Sequence, residues 1–383
     1  MHEQTSGSPT ISIGLVVDPG ESQVEAWVQR LEQELSSGLR RDFPGFDWEF
    51  SIIRRRDFPK ALPKDPLILL EFGSDIKIEY NLDFVLVFTS FPLKSRFEQG
   101  INGVPSNMLE TGVITLAKVM ETQDSGKATK AALALSKHVL GHLWGLEHNE
   151  ESVMRPRKFW TGDGPLYWSQ HEKKQIEVYL RGVADPRLEE TVGAAKGRLR
   201  FYLQVIMNER ASLARDIFLF RSWLMMLHLG RFTAATAVSV IFLFLSAEAW
   251  EMGAAIQSGW LDLALVGVIL VATLSLYFGQ NLQGIATSDR MMEQAVRSRI
   301  VLMGTLFVGM AAFWINLFCI SVVIIHLLPE QVLCNWAGLN GKALPIIHFS
   351  KLMATFGILA SSVGGNLEEE QDIKAVLVYT EEA

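Results

Sequence analysis

The stretch His138-Val139-Leu140-Gly141-His142-Leu143-Trp144-Gly145-Leu146-Glu147-His148 gathers three of the chain's eight histidines into eleven residues. Ala128 to Trp144 reads as a helix rich in Ala and Leu. On that helix His138 and His142 lie one turn apart and project from the same face. Gly145 is a residue type favoured just past a helix end, where it lets the chain turn back. His148 can then approach the same point from beyond the helix. Three imidazoles around an open fourth position form the ligand set of a catalytic zinc centre, so zinc is the expected cofactor.

Upstream of this helix, apolar runs alternate with helical periodicity, the pattern of an α/β domain over residues 1–190. Strands are expected at Ile11–Val17, Phe46–Ile53, Pro66–Phe72, Asp83–Phe91 and Val113–Leu116. The run from Asp83 is almost wholly apolar, as in a strand buried on both faces. Between the first two, Glu21–Arg41 repeats Val24, Trp27, Leu31 and Leu35 at helical spacing. Beyond the histidines, Ser169 and Glu172 make a capping box ahead of an amphipathic helix through Ile176, Tyr179 and Leu180.

Together these residues resemble the metzincin zinc peptidases, whose pattern is H-E-x-x-H-x-x-G-x-x-H followed by a turn bearing methionine. The resemblance covers roughly residues 10–183 and makes His138, His142 and His148 the metal ligands, with Met154 of Ser152-Val-Met-Arg-Pro156 beneath them. The Gly-Leu-Glu-His approach is most similar to the archaemetzincin branch, although the paired cysteines of that branch are missing after His148. One position departs from the pattern. Where metzincins carry the glutamate that takes a proton from the zinc-bound water, this chain has Val139. Loss of a general base is worth about 10²–10⁴ in rate. Glu147, Glu150 and Glu151 are the available substitutes, and Val139→Glu is expected to restore some hydrolysis if the pocket is otherwise intact.

The second half has a different composition. Long apolar runs at 232–250, 260–279, 300–328 and 343–365 each approach or exceed the roughly 20 residues that cross a bilayer core. The expected fold is therefore an α/β metzincin-like soluble domain followed by an all-α four-helix transmembrane domain, with the lipid bilayer as partner. Residues 191–231 form a basic amphipathic linker or interfacial helix, and 366–383 an acidic tail. Arg215, Arg221 and Arg231 precede the first run, and Arg290, Arg297 and Arg299 separate the second from the third, whereas Lys342 stands alone on the other side. By the positive-inside rule both termini should be cytoplasmic. Met1 to Thr10 has no basic, apolar leader, which agrees. Polar groups inside the runs mark a possible membrane site at His348, Lys351 and Asn316, since ionisable residues in hydrocarbon are costly.

Composition narrows the partners. The 383 residues are 49% hydrophobic and 20% charged, with a net charge of −7. An acidic chain of this kind lacks the basic face that nucleic acid requires. Two cysteines, Cys319 and Cys334, build neither a disulfide framework nor a thiolate cluster. No phosphate-binding glycine loop occurs. Three functions stay open: a degenerate peptidase that binds a peptide or protein at the zinc cleft for sensing or regulation, an active membrane metallopeptidase with a substitute base, and a four-span channel or signalling module with the zinc domain as its sensor head.

Overall fold

Five strands form one sheet in the order β2-β1-β3-β5-β4, built from β1 (Thr10–Val17), β2 (Asp47–Arg54), β3 (Phe84–Thr89), β4 (Gly103–Ser106) and β5 (Thr111–Thr115). The computed structural model describes residues 8–60, 63–94, 101–121, 124–156, 164–184, 230–282, 293–339, 343–365 and 370–379, with scattered positions between 202 and 217. They fall into two units, one essentially residues 1–196 and the other 197–285 with 296–377.

In the first unit β1, β2, β3 and β5 run parallel, and β4 pairs antiparallel with β5 at the edge. All six residues of β3 are buried, because helices cover both faces of the sheet. Phe84, Leu86 and Phe88 join Ile11, Ile13 and Leu15 in a core closed by helices α1 (Ser22–Asp42), α4 (Ser125–Leu143) and α5 (Gln170–Val183). The opposite face receives α2 (Pro66–Glu79), where a Cβ on Gly73 would stand 2.8 Å from Val87 Cγ2. A single-turn helix, α3 (Ala117–Met120), leads into α4.

The expected strand at Pro66–Phe72 is corrected by this helix. Asp65 caps α2 by accepting from the Leu67 amide at 3.0 Å, with Pro66 at the first helical position. The run misleads because α2 is buried around much of its girth, so its sequence shows no helical alternation. β4 has no counterpart among the expected strands, being four residues with a proline. The other expected strands and helices of this unit are present, with their ends shifted by a few residues.

The second unit is helical: α6 (Gly230–Leu245), α7 (Ala247–Ala255), α8 (Ser258–Gly279), α9 (Glu293–Leu327), α10 (Glu330–Trp336) and α11 (Ile346–Gly365), followed by α12 (Glu370–Val378) at its boundary. Among the described residues two helices, Ser258–Gly279 and Val296–Leu327, are long and apolar enough to cross a membrane, or three if α6 and α7 count as one bent span. The run expected to cross unbroken at 232–250 is bent by 79°. Ser246 causes this locally: its hydroxyl accepts from the Ala249 amide at 3.3 Å and so starts a new helix. The indole N–H of Trp250 donates to the released carbonyl of Phe244 at 3.1 Å. In the fourth run the apolar stretch among the described residues is Ile346–Ser362, within helix α11. Most of the linker expected at 191–231 lies outside the described residues; within the tail expected at 366–383, Glu370–Val378 is helix α12, with Ile373, Ala375 and Leu377 buried.

Candidate metal centre

Helix α4 begins at Asp124, whose carboxylate accepts from the amides of Gly126 and Lys127, and ends at Trp144. Gly145 adopts a φ of +79°, a conformation that costs any other residue. The Gly145 amide donates to His142 O and the Leu146 amide to Gly141 O, both at 2.9 Å, closing the helix and turning the chain back. His138, His142 and His148 thereby meet, with ligand nitrogens all within 4.8 Å of one another. His138 is buried, His142 half-buried and His148 exposed.

The hydrogen bonds decide which nitrogens face inward. His138 Nδ1 lies 2.9 Å from Val153 O, and His142 Nδ1 lies 2.9 Å from Leu146 O. A carbonyl only accepts, so each Nδ1 carries its proton, and in the neutral ring Nε2 presents a lone pair. Those two Nε2 atoms face each other at 3.1 Å. Two ligands about 2.0–2.1 Å from a tetrahedral zinc stand about 3.3 Å apart. The donor set fits zinc, and the cluster is able to bind it.

Met154 is fully buried and packs against Gly141, between the two helical histidines; a Cβ there would stand 3.0 Å from Met154 Cε. The floor beneath it is aromatic, with Phe43, Trp48, Trp144 and Trp168 at centroid separations of 5.6–6.2 Å.

Val139 is also fully buried, but it points at the sheet. Its methyl groups fill a notch made by two glycines: a Cβ at Gly103 would stand 2.9 Å from Val139 Cγ2, and Gly112 is in contact with Cγ1. A carboxylate at 139 would have to enter this apolar notch, which puts the expected rescue by Val139→Glu in conflict with core packing. Of the substitute bases, Glu150 is paired with Arg155 at 2.8 Å, and Glu147 and Glu151 are exposed beyond the helix.

Two polar assemblies that sequence reasoning missed support the centre. Lys137, with 2% of its side chain exposed, pairs with Asp42 at 3.2 Å, donates to Leu166 O at 3.0 Å and lies over the Trp168 ring. Asp42 also pairs with Lys173 at 2.8 Å, joining α1, α4 and α5. Burial tends to raise the Asp42 pKa, but the hydrogen bond from Lys173 and the charge of Lys137 hold it below the usual value. Burial lowers the Lys137 pKa, with Asp42 opposing. The capping box at Ser169 and Glu172 is present, and the same carboxylate reaches the loop after His148. Neither partner set is adjacent in sequence, so no spacing could have shown it.

In the helical unit Lys351 pairs with Asp262 at 2.8 Å. His348 Nε2 donates to Gly253 O at 2.9 Å and its Nδ1 lies 3.4 Å from Ser258 Oγ. Asn316 does not join them; its amide donates to Ala312 O of its own helix at 3.1 Å.

No protein-family model matches the chain, and no curated protein matches it. Among solved structures it is similar to the archaemetzincin of Methanopyrus kandleri, with 15% identity, 46% of this chain and 99% of that one covered, and a TM-score of 0.38. A zinc-dependent peptidase of Methanocorpusculum labreanum strain Z follows at 18% identity, 43% and 99% coverage and TM-score 0.33. The archaemetzincin of Archaeoglobus fulgidus, complexed with malonate, gives 15% identity, 43% and 99% coverage and TM-score 0.33.

Proposed function

We propose that this chain is a membrane-anchored, cytoplasm-facing zinc protein of metzincin type whose peptidase activity is lost or much reduced, and which binds a peptide or protein at its metal cleft in a sensing or regulatory role. One observation carries the reading. The half of the site that holds metal is assembled, with two oriented imidazoles and a third from the return loop, whereas the position of the general base is a valine packed into the core. Zinc, when bound, would supply a Lewis acid and lower the pKa of a bound water. The chain's own residues then orient the ligands through Val153 O and Leu146 O, but Val139 can neither accept nor return a proton. Two helices, or three with the bent pair, are long and apolar enough for a membrane anchor; the basic residues flanking the apolar runs are the basis for reading both termini as cytoplasmic.

The test uses the full-length chain in detergent. About one zinc per chain is expected in wild type and none after replacement of the three histidines by alanine, by elemental analysis. Peptide hydrolysis is expected to fall short of an ordinary zinc peptidase by about 10²–10⁴-fold; chelator-sensitive turnover at ordinary rates would show that another base serves. For orientation, Cys334 should react with an impermeant thiol reagent in intact cells, while a cysteine introduced at Ser8 stays protected until lysis.

A further inference from the structure

We propose that Glu172 is a positioning residue for the metal centre, tying the loop that carries His148 to the start of helix α5. This rests on the metal reading above. Glu172 Oε1 accepts from Asn149 Nδ2 at 2.9 Å and from Ser152 Oγ at 2.7 Å, and Oε2 accepts from the Ser169 amide at 2.5 Å. The residue is 4% exposed, so these bonds replace water rather than compete with it. Hydrogen bonds to an ionised carboxylate are roughly twice as strong as neutral ones.

What Glu172 grips matters more than how tightly. Asn149 follows His148 directly. Ser152 precedes Val153, whose carbonyl receives the Nδ1 proton of His138. The loop between them is closed on itself, with the Asn149 amide donating to Met154 O at 3.1 Å and the Ser152 amide to Asn149 O at 3.3 Å. Holding Asn149 and Ser152 to one carboxylate therefore fixes the origin of one ligand and the orienting acceptor of another. Partners of this kind, removed from a metal site, cost about 10–100-fold in metal affinity. Because coupling between sites is reciprocal, metal binding must stabilise the seating of α5 by the same factor.

A helix cap alone would not do this, and the two roles separate experimentally. Zinc affinity of the full-length chain is measured by competition with a chromophoric chelator, alongside thermal unfolding without metal. Glu172→Gln keeps the volume but turns an amide N–H₂ toward one set of donors, and Asn149→Ala removes the loop contact while leaving the capping box intact. Both are expected to raise the zinc Kd by about 10–100-fold. Ser169→Ala removes only the hydroxyl that accepts from the Glu172 amide at 3.3 Å; it should lower the zinc-free Tm and leave Kd unchanged. Hydrogen exchange should show zinc-dependent protection at 149–154 and in the first turn of α5 in wild type, absent in Glu172→Gln. If Glu172→Gln does not fold, Asn149→Ala carries the comparison. Unchanged Kd in the folded variants, with lowered Tm, would reduce Glu172 to a cap and overturn the proposal. A wild-type chain that holds no zinc overturns the metal reading first, a result distinct from unchanged affinity.

Discussion

The two units handle buried polar groups in opposite ways. In the sheet unit they reach far along the chain: Asp42 to Lys137 and Lys173, Glu172 to Asn149 and Ser152, Lys77 to Glu110 at 2.7 Å, Ser12 to Asp83 at 2.8 Å. In the helical unit hydroxyls mostly turn back to their own helix, Thr236 to Phe232 O, Thr273 to Ile269 O and Thr355 to Lys351 O. Close approach there rests on glycine, as it does alongside the polar pairs at Gly103 and Gly112 in the sheet unit; a Cβ at Gly253 would stand 2.6 Å from Phe349 Cε1. A polar network fixes side chains to within a hydrogen bond, as a metal centre requires, whereas glycine notches fix helices but leave their side chains unspecified.

Four measurements probe this contrast, from the largest effect to the smallest. Asp42→Ala leaves the buried Lys137 ammonium without its carboxylate, and a loss of about 3–5 kcal/mol is expected in urea unfolding of the sheet unit. A loss below about 1 kcal/mol would remove the distinction between the units. Gly112→Ala places a Cβ against Val139 and 3.0 Å from Leu86 Cδ2; overpacking of this kind costs about 1–3 kcal/mol, and Val139→Ala in the same chain should recover part of it. The third is a pH effect. Because Asp42 has a folded pKa below its unfolded value, near 3.9, its contribution is complete above that value and is lost as pH falls through the folded pKa. The urea midpoint should drop below about pH 4 in wild type and less steeply in Asp42→Asn. Smallest is Arg54→Ala at the surface of the sheet unit, where the side chains of its pair with Glu25 are 48% and 23% exposed; a change of about 0.2–1 kcal/mol is expected, which sets the buried pairs of that unit apart.

Most of the sheet unit was legible because strands buried on two faces and helices buried on one leave different periods in the sequence. Helix α2 was not, since burial around its girth erases the period, although Asp65-Pro66 marked its start. The three histidines were legible because their convergence depends only on local helical geometry and one glycine. The orientation of Val139 was not. Its spacing suits a base beside the metal, and only the pairing of β4 with β5, which brings Gly103 and Gly112 under α4, reveals that its methyls serve the core. In the helical unit composition disclosed the apolar runs, but the bend at Ser246 depends on one hydroxyl choosing a backbone amide over its own helix.

The acceptors that orient His138 and His142 have a consequence for the substitutions this site can bear. Both are main-chain carbonyls, at Val153 and Leu146, and no point substitution deletes a carbonyl. The protonation pattern of the ligand pair thus follows the path of the loop, and side chains such as Glu172 and Asn149 act on it only by holding that path. The imidazoles have no such protection, since a change at any one of three codons removes a ligand.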